Sequence, residues 1–456
     1  MSEEKIKKEK EEKRFKKQIA SMILDDGSIV EMVYDPIKSR SDFIIFNNGE
    51  IKKESLIEIE DMDYVPLYPN NGLLRNRVIL FPTNVEKFES EESLIIEIEN
   101  FIHKYLDISS FFEKIATYYV MFTWIYDCFN ELPYLRALGD YGCGKTRFLQ
   151  VMGSICNKPM FAGGATTTSP VFRIIEQIRG TLILDEADFR FSDTKSEIIK
   201  ILNNGFSKGF PVLRTEANKN GEWGLKTFDV FCPKVIATRE RFQDRALESR
   251  FLVEEMEKGT LRDDIPINIP NSFWEEATKI RNKLLWWRFI NYGQKKIEND
   301  TNSKIQPRLK QIANPLLSII RDEKIREGLI ATLIEYDKQI TIDRGMSNDA
   351  KIFEAVLALL KNYPLTEIKV KDIADTYNRG PLDAKEVLSS QKVGWYLRER
   401  LKIKTERTRD GYVLSEINKP RIELLKKKFG IVEDSNPDKT TDTNDIPVIN
   451  EETYGR

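Results

Sequence analysis

The octapeptide Gly139-Asp140-Tyr141-Gly142-Cys143-Gly144-Lys145-Thr146 has the residue types and spacing to hold a polyphosphate. It matches GxxxxGK[ST], in which glycines let backbone N–H groups curl round an anion and a following helix adds its N-terminal dipole. Gly139 to Gly144 would form the cradle. Lys145 would reach the β- and γ-phosphates of ATP, and Thr146 would ligate Mg²⁺. Downstream, Thr181-Leu182-Ile183-Leu184-Asp185-Glu186 is an apolar run that ends in two acids. Asp185 would hold the Mg²⁺ through its water shell, and Glu186 would orient or deprotonate the attacking water. A second acid implies hydrolysis by the chain itself and not phosphate binding alone.

Such groups work only if strands and helices place them. Tyr134–Leu138, Thr181–Leu184 and Lys234–Thr238 are short apolar runs of the kind buried in a parallel sheet. Helices are expected between them, at Lys145–Ser154, Pro170–Ile178 and Ser196–Asn203. Residues 108–260 therefore read as an α/β core with the phosphate loop between a strand and a helix. Before it, residues 18–107 hold alternating runs at Ile19–Leu24, Ile29–Tyr34, Phe43–Phe46 and Val78–Phe81, with Asp26–Gly27 as a hairpin turn and a closing helix near Leu94–Tyr105. After it, residues 261–342 are helical. Residues 346–430 form a further unit: helices Ile352–Leu360, Val370–Tyr377 and Val393–Leu401, then strands Ile403–Arg407 and Tyr412–Leu414. That order is a winged helix-turn-helix pattern. Residues 1–17 are a charged arm, and residues 432–456 a polar tail without the composition of a core.

Bulk composition narrows the partners. The 456 residues suit two to four domains. The net charge of −2 means that any nucleic-acid surface must be local. Four scattered cysteines form no CxxC pair, which suits neither a zinc finger nor a disulfide framework and fits a reducing cytoplasm. A single histidine, His103, leaves no His-based triad; it lies in an amphipathic stretch and reads as structural. The apolar segment Phe111–Phe129 carries Glu113, Lys114 and Asp127, so it reads as a buried helix and not a membrane span.

Tyr134–Thr146, Gly180–Asp188 and Pro233–Phe251 together resemble the ATPase core of AAA+ and superfamily 3-type helicases, most of all the primase-associated helicases of plasmids, phages and integrated elements. Phe111–Phe161, Gly163–Glu176 and Pro307-Arg308 followed by Asn314-Pro315-Leu316-Leu317 share the likeness, which covers roughly residues 75–335. The resemblance implies an AAA+ P-loop core with a helical lid, working as a homo-oligomer, a hexameric ring with ATP between subunits. By it, Thr238 would be the polar sensor at the end of the next strand, where such motors usually carry Asn. Arg250, or else Arg245, would reach the neighbour's γ-phosphate, and Arg308 would be a lid arginine contacting nucleotide. No primase motif is evident in the first hundred residues.

Two places could touch DNA. Val212–Glu216 and Trp223–Phe228 flank Asn220–Gly221, a type I′ hairpin signal. Ring helicases carry a pore hairpin there, with Lys219 at the tip and Arg214, Trp223 and Lys226 on the arms. In the winged unit Lys392–Leu401 is the recognition-helix candidate. There Lys392, Arg398 and Arg400, with Arg407 and Arg409 in the wing, could meet phosphates, while some of Trp395, Leu397 and Leu401 must face the core. The expected activity is an ATP-driven ring helicase on single-stranded or forked DNA, serving replication of a mobile element. An ATP-switched initiator or loader is one alternative. A signalling or defence ATPase whose winged helix contacts protein is another.

Overall fold

The computed structural model describes residues 14–163, 166–185, 192–217, 223–242, 244–257, 261–294, 307–345, 348–379 and 387–429. The chain divides into two compact units, Met1–Glu335 and Tyr336–Arg456.

Seven strands open the first unit: β1 (Phe15–Gln18), β2 (Ser21–Ile23), β3 (Ile29–Asp35), β4 (Arg40–Asn47), β5 (Glu50–Glu54), β6 (Ile57–Ile59) and β7 (Met62–Val65). They form an antiparallel sheet β2-β3-β4-β5 and a small sheet β1-β7-β6. Gly27 makes the β2–β3 turn at φ 82°, with the Leu24 N–H donating to the Ser28 carbonyl at 2.9 Å. Two expectations change here. Phe15–Lys17, read as the end of the charged arm, belong to the strand Phe15–Gln18 because Met62–Val65 offers it a parallel edge. Val78–Phe81, read as a strand, makes only an isolated bridge from Ile79 to Met160.

The core sheet has five parallel strands: β8 (Tyr134–Leu138), β9 (Met160–Ala162), β10 (Leu182–Asp185), β13 (Lys234–Thr238) and β14 (Phe251–Glu255). Between β10 and β13 in sequence, β11 (Val212–Ala217) and β12 (Trp223–Phe228) form a separate antiparallel hairpin. The spatial order is β14-β8-β13-β10-β9. All five residues of β8 and of β13 are buried, as a sheet covered on both faces requires. Crossover helices include Lys145–Ile155, Thr168–Ile178 and Ser192–Asn204. A mixed α/β fold of this kind, with a phosphate loop on β8, is consistent with a P-loop NTPase core.

A buried ionic network explains why the N-terminal sheet and the core share one unit. The Lys158 ammonium meets Glu31 of β3 at 3.0 Å and the Ser21 hydroxyl of β2 at 2.8 Å. Arg288, on the helix Ser272–Asn291, donates its Nε to the same Glu31 at 2.8 Å and its fork to both oxygens of Asp127, each at 2.8 Å. Charges removed from water this completely must be mutually satisfied. Among the described residues no helix is long and apolar enough to cross a membrane.

The second unit has helices Asn348–Leu360, Val370–Asn378 and Ser390–Trp395, the last continuing as a π turn over Tyr396–Arg400. The hairpin of β15 (Thr405–Thr408) and β16 (Gly411–Leu414) follows, and then the helix Lys419–Phe429. Phe353, Ile373, Leu397, Leu401 and Leu414 meet in its core.

Candidate nucleotide site

Strand β8 delivers the chain into the loop, and two of the loop's glycines are needed for shape. A Cβ on Gly139 would lie 2.2 Å from the Met256 carbonyl oxygen, so only glycine lets the loop pass this backbone. Gly144 caps the helix Lys145–Ile155 at φ 93°, a left-handed conformation that glycine adopts without strain. The N-terminal N–H groups of that helix then open toward the loop.

Lys145 is 7% exposed. Its ammonium donates to the carbonyl oxygens of Gly139, at 2.6 Å, and Asp140. The charge thus folds into the loop, onto neutral acceptors that a phosphate would outcompete. The Thr146 hydroxyl lies 3.4 Å from Asp185 Oδ2. Strand β13 lies between β8 and β10 and pairs Thr238 with Leu138 and Ala237 with Asp185. Its Thr238 is 4% exposed, with a hydroxyl that has no hydrogen-bond partner among the described residues. An orphaned buried hydroxyl beside a phosphate loop is the type of atom that a ligand satisfies. The donor set, a hydroxyl and a carboxylate oxygen, is of the hard oxygen type that suits Mg²⁺. The sheet therefore gathers Lys145, Thr146, Asp185 and Thr238 at one end. Glu186 lies outside the described residues.

Beside the loop is a cleft of about 610 Å³, whose apolar lining includes Leu106, Ile108, Met256, Leu261 and Ile265. Sequence reasoning missed these residues because they sit on loops with no periodicity to mark them. Arg147 fastens one wall, donating to the carbonyls of Pro266 at 3.0 Å and of Ile267. Glu254 fastens the other by accepting from the Ser109 N–H at 2.7 Å and its hydroxyl at 3.0 Å. Burial raises the Glu254 pKa above the ordinary value. His103 is a support as well, with Nδ1 2.8 Å from Glu113 Oε1.

Arg250 stands elsewhere. It precedes β14, whose first residue, Phe251, pairs with Tyr134 at the start of β8. At about 3.3 Å per residue, the five steps from Arg250 to the level of Leu138 put it roughly 16 Å from the loop end of the sheet. Its Nη1 donates to Leu202 O at 3.0 Å, Asn203 O at 3.1 Å and Asn203 Oδ1 at 2.8 Å, and the guanidinium lies 4.7 Å over Phe206. Burial lowers its pKa, and nearby Arg308 adds to the effect. The Arg245 side chain lies outside the described residues.

The hairpin departs further from expectation. Arg214 and Lys226 are cross-strand partners on one face. Arg214 is ion-paired with Glu197 and lies 4.1 Å over Phe172. Lys226 is 3.7 Å from Glu216. These cations, expected on DNA, are held by carboxylates because the pleat turns them toward their own chain. The opposite face shows Leu213, Trp223 and Leu225, at 62%, 74% and 79% exposure. Lys219 and the Asn220–Gly221 turn lie outside the described residues.

In the second unit Val393, Leu397 and Leu401 are core, and Trp395 is 49% exposed. Lys392, Arg398, Arg407 and Arg409 are exposed. Arg400, expected on phosphate, pairs with Asp349 at 3.3 Å because the π turn carries it back toward the first helix.

No family model matches the chain, and no curated protein matches it. Among solved structures it is similar to the NrS-1 C-terminal region, at 12% identity over 84% of this chain and 96% of that one, with a TM-score of 0.34. It is similar to JCV helicase at 12% identity over 59% and 66%, with a TM-score of 0.24. It is similar to a Thermotoga maritima RuvB mutant at 14% identity over 70% and 96%, also with a TM-score of 0.24. These scores are low, and the fold assignment rests on the sheet and loop of this chain.

Proposed function

We propose that the chain is an ATP hydrolase that works as a ring and moves along DNA as a helicase or translocase, in the replication of a mobile element. The observation that carries the reading is the division of its polar groups between two ends of one sheet. Lys145, Thr146, Asp185 and Thr238 gather at the loop end, while Arg250 sits at the other. A ring of identical subunits can bring the second end of one chain against the first end of the next.

In that site the loop N–H groups and Lys145 bind the phosphates of ATP, and the apolar cleft takes the base. Thr146 and Asp185 would hold Mg²⁺, which when bound supplies charge neutralisation across the phosphate oxygens. Glu186 orients the attacking water and receives its proton. Thr238 donates its orphaned hydroxyl toward the reacting phosphate. Arg250, exchanging its backbone carbonyls for a neighbour's phosphate, stabilises charge that develops on transfer.

DNA contact falls to the outer hairpin face, where Trp223 offers a stacking surface, and to Lys219 at the tip. The second unit, read as a winged helix, offers Lys392, Trp395 and Arg398, with Arg407 and Arg409 in the wing. The test is strand displacement on a forked duplex by assembled wild type and by Lys145→Ala. The reading expects ATP-dependent unwinding by wild type alone. Hydrolysis by an assembled wild type that never separates strands would remove the helicase claim.

A further inference from the structure

A second cavity, of about 870 Å³, lies in the first unit between the β3–β4 turn, the segment after β7 and the outer side of the helix Ser272–Asn291. It shares none of its lining with the cleft beside the phosphate loop. Arg75, Arg77, Lys279 and Arg281 all line it, and no carboxylate among the described residues pairs with any of them. Arg281 is the unusual member, because it is only 4% exposed. Its guanidinium donates to the Phe81 carbonyl at 3.3 Å, the Ser154 carbonyl and the Thr278 hydroxyl at 2.8 Å. That uses three of five N–H groups, all on neutral acceptors. Burial, and then the charge of Arg77, push its pKa down to about 9. A buried cation without an anion is costly to fold around, and it implies that an anion completes the site.

Two further observations set the kind of anion. Arg77 sits in a left-handed conformation at φ 55°, with its guanidinium 4.8 Å from the centre of the Trp274 ring, so a cation–π contact holds it at the cavity wall. The acids that line the cavity are Asp35 and Glu275. Asp35 is occupied by the N–H groups of Ile37, at 3.0 Å, and Lys38, at 3.1 Å. The four cations exceed these two acids, and the volume far exceeds that of a single phosphate.

We infer that this cavity binds an organic phosphate of nucleotide size, with Arg77, Lys279 and Arg281 on its phosphates and the Arg77–Trp274 pair against its planar group. A free nucleotide and the phosphorylated end of a DNA strand share this chemistry.

The test is calorimetric titration of the full chain carrying Lys145→Ala, which weakens the phosphate loop as a competing site. The probes are pyrophosphate, ADP and a short single strand with and without a 5′-phosphate. Saturable binding is expected, weakened roughly ten-fold for each cation lost, in Arg77→Asn and in Lys279→Ala. Both residues are exposed, and Asn tolerates the left-handed backbone, so both variants should melt as their parent does. Arg281→Met should bind least; because it also removes three buried hydrogen bonds and so costs stability, the two exposed variants carry the decision. Binding of ADP but not of the phosphorylated strand assigns a free nucleotide, and the reverse assigns a strand end. The inference is overturned if no probe binds saturably, or if the Arg77→Asn, Lys279→Ala double variant binds as its parent does.

Discussion

The phosphate loop and the β11–β12 hairpin lie in the same unit and use their cations in opposite ways. At the loop Lys145 rests on neutral carbonyls and the Thr238 hydroxyl has no partner among the described residues, so an incoming phosphate displaces little. On the hairpin Arg214 and Lys226 already have carboxylates, and the outward face is apolar. Residue type alone does not distinguish a waiting cation from an occupied one. What distinguishes them is the partner already present, and that is set by which way the backbone turns each side chain.

The largest effect should fall on the loop end of the sheet. Lys145→Ala and Asp185→Asn are each expected to lower ATP turnover by ~10³-fold or more, with the melting temperature little changed. Steady-state phosphate release checks this. A loss of turnover that merely tracked unfolding would remove the distinction between a poised site and a structural one.

The next effect concerns stability. Glu31→Ala leaves Lys158 and Arg288 buried without their shared carboxylate, and should cost about 3–5 kcal/mol in chemical denaturation. Glu216→Ala, which removes a carboxylate from the exposed hairpin, should leave the midpoint where it was. The network also carries a pH dependence. Burial pulls the Asp127 pKa up, but the charge and hydrogen bonds of Arg288 outweigh it and hold the group below its ordinary value. A depressed carboxylate stabilises the fold fully above its unfolded pKa. That contribution is lost as the pH falls through the carboxylate range. A denaturation midpoint independent of pH from neutrality down to about pH 3, where an unperturbed Asp would already be mostly protonated, would contradict the assignment.

A smaller effect separates the two faces of the hairpin. Trp223→Ala should weaken single-strand binding by about 1–3 kcal/mol, the usual range for loss of one base–aromatic stack. Arg214→Ala should change that affinity less, because its charge is already paired with Glu197. The reverse ranking in a fluorescence anisotropy titration would restore the cationic face as the DNA contact. Smallest of all, maleimide labelling at Cys143, which lines the nucleotide cleft, should be slowed by ATP.

These contrasts show which parts of the molecule the residues announce. The phosphate loop is legible because the backbone needs glycine at Gly139 and Gly144 and the chemistry needs Lys145 beside Thr146. The strands β8 and β13 are legible because burial on both faces leaves unbroken apolar runs. The cleft residues Ile108, Met256 and Ile265 are not legible, since loops carry no period and their meeting depends on the whole sheet. Arg214 and Arg400 were read as DNA contacts because a cation on a hairpin or a recognition helix looks free in sequence. Glu197 and Asp349, which hold them, are remote in the chain. The strand Phe15–Gln18 was hidden for a related reason, as its partner edge lies at Met62–Val65.

The central claim is that an active site needs the loop end of one chain and the arginine end of the next. Mixing Lys145→Ala chains with Arg250→Ala chains, each inactive alone, tests it most directly. Random assembly should leave about a quarter of the interfaces with both halves intact, so turnover should recover toward that fraction of wild type. No recovery in rings shown to contain both variants would contradict the shared site.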